Sequence, residues 1–194
     1  MYILVSNILT NQFSTQNKLP SVELHSGFPP KKVDLKEYIA KKSVIIVGLP
    51  GAFTPTWSNA QVPSYVELQD SLHNKAGIDE IIIYCVNDGA VMSAWAADLK
   101  VAHSEADDND GRITFLGDPA GSLTKSLDME MTHEGPASVG IIGRCKRFAM
   151  YAVNGEVKYV AVSEADNDPA GDDNPEATLA PAIMDAILKV KDEL

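Results

Sequence analysis

The stretch of the chain best suited to chemistry reads Gly48-Leu49-Pro50-Gly51-Ala52-Phe53-Thr54-Pro55-Thr56-Trp57-Ser58. It leaves an apolar strand, turns through a Pro/Gly-rich loop and enters a helix near Trp57. A helix N-terminus presents unpaired N–H groups and the positive end of its dipole, which suits an anion or a thiolate. Thiols are few: Cys85 and Cys145 are the two cysteines of the chain. Cys85 lies in an apolar run, where a cysteine is ordinarily buried and inert. Cys145 sits between Arg144 and Lys146, cations that lower a thiol pKa, yet strand alternation turns it to the face opposite Arg144. A reactive and a structural thiol both remain open there. His25, His73, His103 and His133 are scattered, with no spacing for zinc or for a Cys–His dyad, so they read as surface histidines. No metal and no cofactor is expected.

The elements that must position these groups follow from hydrophobic patterning. Residues 43–49, SVIIVGL, and 81–86, IIIYCV, are short β-branched apolar runs of the kind buried on both faces of a sheet. A third strand is expected at 113–116, closed by Gly117-Asp118-Pro119. The runs 147–153 and 157–162 flank Asn154-Gly155, a strong hairpin signal, so this pair is antiparallel. Helices are expected over roughly 57–73, 88–101, 120–128 and 176–192; in the first, Val62, Tyr65, Val66, Leu68 and Leu72 form one apolar face. Strands alternating with helices, then a hairpin and a terminal helix, imply an α/β protein with a mixed central sheet flanked by helices. The thioredoxin-like fold has this order. The acidic stretch Glu164–Glu176 misses the EF-hand pattern, because Ala170 and Ala177 stand at ligand positions, and reads as a solvated loop.

Composition narrows the function. The 194 residues, 45% hydrophobic and 22% charged, suit one domain with a sizeable core. A net charge of −11 argues against nucleic acid or an anionic membrane as the main partner. Two cysteines are too few for a disulfide-stapled secreted scaffold. The start, MYILVSNILTNQF, lacks a basic n-region and a cleavage signal, and no run is long enough to span a membrane. A cytoplasmic location is therefore expected. The last four residues, Lys191-Asp192-Glu193-Leu194, also spell an endoplasmic-reticulum retention address, which would act only if a leader had been removed. The other reading is the charged last turn of a helix.

In the segment described first, Pro50, Gly51, Ala52, Phe53, Thr54, Pro55, Thr56 and Ser58 stand in register with P-G-A-F-T-P-T-C-S, and the chain there resembles the type II peroxiredoxins, the branch often numbered five. The resemblance extends through Leu19-Pro20-Ser21-Val22, Gly27–Leu35, Val86-Asn87-Asp88 with Ala94-Trp95, Leu116–Gly121 and Gly143–Ala149. It covers residue 18 to the end, leaving 1–17 as an N-terminal extension of an 18–194 peroxiredoxin-like domain that opens with a β-hairpin. The resemblance implies that Pro50 shields a pocket, Thr54 supplies a hydroxyl and Arg144 a cation, around a cysteine that attacks peroxide and becomes a sulfenic acid.

Trp57 occupies the nucleophile's place. An indole has no ionisable thiol, so the family's chemistry cannot proceed at that position. The positions that match the family's resolving cysteines are Ala177 and Ile83. These residues lead to a non-catalytic member of the family, acting by binding and as a homodimer, with Trp57 either an interface anchor or a plug in the pocket. The alternatives are a thiol peroxidase, as an engineered Cys-to-Trp variant or a weak enzyme using Cys145 or Cys85, and simple anion binding at Arg144 and Thr54. Thioredoxin, glutaredoxin or glutathione would be partners only of an active enzyme.

Overall fold

β-Branched runs flanked by Gly, Pro and Asp turns pair into one seven-stranded sheet of order β2-β1-β5-β4-β3-β6-β7. The strands are β1 (Glu23–Ser26), β2 (Lys31–Asp34), β3 (Ser43–Leu49), β4 (Glu80–Cys85), β5 (Ile113–Gly117), β6 (Arg147–Val153) and β7 (Glu156–Ser163). The computed structural model describes residues 18–54, 60–101, 106, 111–165, 168, 170–171 and 175–193. The 1–17 extension, Trp57 and His103 lie outside these residues.

At the centre, β3 runs parallel to β4, and β4 parallel to β5. β6 then pairs antiparallel with β3, and β7 with β6 through the expected turn at Asn154-Gly155. The β1–β2 hairpin joins the other edge antiparallel to β5, through His25 opposite Gly117. The sheet is therefore mixed, with the parallel strands buried in its middle. This is the thioredoxin-like arrangement expected.

Both faces of the sheet are apolar, as strands covered on two sides require. Ile45, Val47, Ile81, Ile83, Phe115 and Tyr151 face α2 (Val62–Ala76), α3 (Gly89–Asp98) and α6 (Ala180–Asp192). Val44, Ile46, Ile82, Tyr84, Leu116 and Met150 face α1 (Leu35–Tyr38) and α4 (Ser122–Ser126). Another short helix, α5 (Glu134–Ser138), precedes the segment carrying Arg144. Each side-chain set alternates along its strand with the period of two that a pleated sheet imposes.

Several helix boundaries differ from expectation, and α6 itself begins at Ala180, behind a 3-10 turn over Pro175–Thr178. The described α2 starts at Val62, with Pro63 in its first turn, and ends where Gly77 takes a left-handed φ of 62°. α3 stops at Asp98, and Lys100 just beyond it has a φ of 54°, so the expected continuation to 101 does not form. α4 covers only 122–126 of the expected 120–128, with Leu127 as its C-cap. The last charged turn of α6 does more than face water: Lys191 Nζ donates to the Ala76 carbonyl at 2.6 Å, tying α6 to the end of α2. A cation at a helix C-terminus satisfies a free carbonyl and complements the dipole.

Close packing is tightest where β3 approaches the loop. A Cβ on Gly48 would overlap the ring of Phe148, the residue opposite it on β6. Phe148 is fully buried and packs edge-on to Tyr84, ring centroids 5.8 Å apart. Gly48→Ala should therefore destabilise the protein by about 1–3 kcal/mol in urea denaturation. Adding Phe148→Leu should recover part of that loss; an unperturbed single variant would contradict the packing.

Candidate functional site

The site forms at the carboxyl ends of β3 and β4, where open α/β sheets commonly bind ligands. Beyond Leu49 the chain turns through Pro50 and Gly51, and beyond Cys85 it continues as Val86-Asn87 into the N-cap of α3. Asp88 provides that cap, accepting from Val91 N at 2.9 Å. Phe53 sits at a φ of 62°, a left-handed conformation costly for a side chain with a Cβ. Its half-exposed ring leans on buried Trp95, centroids 6.5 Å apart, and Trp95 stands edge-on to Phe115 at 5.6 Å. The loop is thus tied through aromatic rings to the core.

Three of the four expected site residues come together. Pro50 is buried at the end of β3, and Thr54 Oγ1 donates to the Gly51 carbonyl at 3.1 Å. A Cβ on Gly51 would lie 3.9 Å from Arg144 Nη1 and 4.0 Å from Thr54 Cγ2, so the cation and the threonine flank the same backbone. Arg144 Nη1 donates to Val86 O at 2.7 Å and to Asn87 Oδ1 at 3.0 Å. The fourth residue, Trp57, falls outside the described residues, together with Pro55, Thr56 and Ser58.

Asn87 was not singled out as a site residue by sequence reasoning, although it lay within a matched segment. Its side-chain oxygen also accepts from Ala52 N at 3.3 Å, so it touches both the loop and the arginine. The available signal was a lone amide directly after a buried apolar strand. Such a residue has nothing to pair with in the core and must serve the strand end.

Both thiols lie buried away from solvent. The segment around Cys145 runs beside residues 129–131, with Met131 N donating to Arg144 O at 2.8 Å and Lys146 N to Met129 O at 2.7 Å. Cys145 is fully buried and its Sγ donates to the Leu49 carbonyl, 3.0 Å away. Burial pushes its pKa up to about 12, outweighing the nearby Arg144 cation. Of the two readings left open for this thiol, the structure favours the buried structural one, because loss of hydration dominates. Cys85 is likewise fully buried, and burial drives its thiol well above the usual range.

Of the resolving positions, Ile83 is buried in β4, and Ala177 is exposed in the 3-10 turn Pro175–Thr178. The described histidines have local roles. His133 Nδ1 accepts from Gly135 N at 3.0 Å to cap α5, His73 Nδ1 lies 2.8 Å from the Ile78 carbonyl, and His25 lies 3.7 Å from Glu23. Among the described residues no group of three His, Cys, Asp or Glu side chains could hold a metal ion, and no helix is long and apolar enough to cross a membrane.

A mixed seven-stranded sheet with a Pro-Gly loop, a threonine and an arginine at its strand ends defines the class of protein as thioredoxin-like in fold. Residues 14–178 match the Redoxin family. The chain is 33% identical over 152 residues to Peroxiredoxin-2C of Oryza sativa subsp. japonica, covering 78% of this chain and 80% of that protein. It is 34% identical over 154 residues to hybrid peroxiredoxin hyPrx5 of Haemophilus influenzae, covering 78% of this chain and 58% of that longer protein. The structure of reduced Prx3 in complex with hydrogen peroxide, from Vibrio vulnificus, superposes with a TM-score of 0.72 at 33% identity over 88% of this chain and 93% of that one. The chain belongs to the peroxiredoxins of the Redoxin family.

The buried thiols set a pH dependence. The native state keeps Cys145 protonated up to about pH 12, whereas the unfolded chain loses that proton near pH 8.5, on the order of a free cysteine. Above that value the unfolded state binds fewer protons, so stability falls as pH rises. The slope should reach about 1.4 kcal/mol per pH unit for each buried thiol. Urea denaturation from pH 8 to 10.5 should reveal this loss, and Cys145→Ala should remove its own share of the slope while that of Cys85 remains. An unchanged slope in that variant would contradict the assignment.

Proposed function

We propose that this chain is a non-peroxidatic peroxiredoxin: it keeps the pocket frame of Pro50, Thr54 and Arg144, carries Trp57 in the nucleophile's register, and acts by binding rather than by thiol chemistry. One observation carries the reading. Both cysteines are fully buried, with their pKa values raised by loss of hydration, so the chain offers no thiolate to a peroxide at neutral pH. Trp57 cannot supply one.

The binding role is assigned to a homodimer formed over the pocket rim. Phe53 is 52% exposed and Ile142 72% exposed; one lies on the pocket loop and the other two residues before Arg144. Phe28 and Val139 are exposed as well. Phe28 adjoins Gly27, whose carbonyl lies against Gly89 at the start of α3. Large apolar side chains exposed on neighbouring elements favour a protein partner. The proposed compartment is the cytoplasm: Lys191, the first residue of the C-terminal tetrapeptide, is built into α6 and bonded to Ala76, which favours the helix-end reading.

A second reading is a thiol-dependent peroxidase of hydrogen peroxide and alkyl hydroperoxides, either as an engineered Cys-to-Trp variant of an active peroxiredoxin or as a weak enzyme using Cys145. The intact frame favours it, since Arg144 and Thr54 still flank Gly51. Thioredoxin, glutaredoxin or glutathione would then be the reductant, and a partner only of an active enzyme.

Incubation of the native protein with hydrogen peroxide should show no consumption above background, and a sulfenic-acid trap should label neither Cys85 nor Cys145. Rapid labelling of either would overturn the pseudoenzyme reading. Trp57→Cys should gain peroxide consumption; an inactive variant would show that the frame has lost more than its nucleophile. In sedimentation equilibrium the protein should have twice its chain mass, and Ile142→Glu should shift it towards monomer. A monomeric native protein would remove the dimer.

A further inference from the structure

A single oxygen atom joins the two halves of the pocket. Asn87 Oδ1 accepts from Ala52 N at 3.3 Å, on the loop that carries Thr54, and from Arg144 Nη1 at 3.0 Å, on the segment leading into β6. The same Nη1 donates to Val86 O at 2.7 Å. A guanidinium nitrogen of this kind carries two hydrogens, so both are committed to the end of β4. Two bonds to one nitrogen fix the plane of the guanidinium as well as its position. The other donors of Arg144, on Nε and Nη2, bond to no described residue.

The anchor is itself held firmly. A Cβ on Gly117 would overlap the Asn87 carbonyl, and a Cβ on Gly89 would lie 2.6 Å from the Gly27 carbonyl. The backbone of residues 87–89 is thus wedged between the end of β5 and the β1–β2 hairpin. Asp88 then caps α3. Asn87 has no freedom to follow a wandering arginine; the arginine must come to it.

We propose that Asn87 is the positioning residue of this pocket. It holds Arg144 with Nη1 turned to the strand end and with Nε and Nη2 left to bind a small oxyanion, and it latches the Thr54 loop through Ala52 N. The proposal rests on the reading of this pocket as a binding site. Alanine at 87 removes the acceptor for both donors at once, so the loop and the cation lose their common reference. Aspartate keeps an oxygen in the same place but adds a negative charge beside the ligand.

The test uses the intact protein, arginine side-chain nitrogen NMR and formate as the probe anion. In the native protein Arg144 should give separate, slowly exchanging Nη signals, assigned by their loss in Arg144→Lys. Asn87→Ala should collapse them into the averaged signal of free guanidinium groups and weaken formate about tenfold, as loss of a charge-assisted contact predicts. Asn87→Asp should keep the separate signals while weakening formate. Where the alanine variant does not fold, Asn87→Ser, too short to reach both donors, supplies the same comparison. Averaged Arg144 signals in the native protein, unchanged signals in Asn87→Ala, or collapsed signals in Asn87→Asp would each overturn the assignment. If native protein shows ordered Arg144 signals but no formate binding, the positioning role stands and the binding-site reading fails.

Discussion

A buried strand that leaves a sheet cannot leave its last polar groups unpaired, and this constraint organises the whole pocket. Leu49 ends β3, and Val86 directly follows the end of the adjacent parallel strand β4. Leu49 O receives the Cys145 thiol, and Val86 O receives Arg144 Nη1. Two adjacent residues of one segment therefore satisfy the ends of two adjacent strands. Leaving the buried Leu49 carbonyl unpaired would cost about 1–3 kcal/mol, which helps to hold the 144–145 segment across the top of the sheet. The pairing of that segment with residues 129–131 fixes its height, and alternation sends Arg144 and Cys145 to different tasks.

The same placement decides the fate of the thiol. Close to a cation a cysteine is expected to ionise, and Arg144 is the adjacent residue. Yet the thiolate would have to give up water entirely, because Cys145 is fully buried. Its hydrogen is already bonded to Leu49 O, a contact that a thiolate would forfeit. The guanidinium, meanwhile, directs Nη1 to Val86 and Asn87. Loss of hydration prevails over a charge that is aimed elsewhere, and Cys145 acts as a peg.

What the sequence made legible divides along physical lines. The strands at 43–49, 81–85 and 113–116 and the hairpin at Asn154-Gly155 were readable because apolar runs and turn residues carry their own signal. The helices at Leu35–Tyr38 and Glu134–Ser138 were not, since one turn is too short for periodicity. Their stability comes from single caps: Asp34 accepts from Glu37 N, and His133 from Gly135 N. In the site, Thr54 and Arg144 were reached through the family resemblance and do flank one backbone. Asn87 escaped because a bridge between Ala52 and Arg144 is a property of three distant segments, visible only when folding brings them together.

The persistence of the frame does not by itself argue for peroxide chemistry. Each member also performs structural work of its own: Arg144 completes Val86, Cys145 completes Leu49, Asn87 completes Ala52, and Thr54 closes the turn at Gly51. Removing any of them would leave a polar group of the strand ends or the loop without its partner.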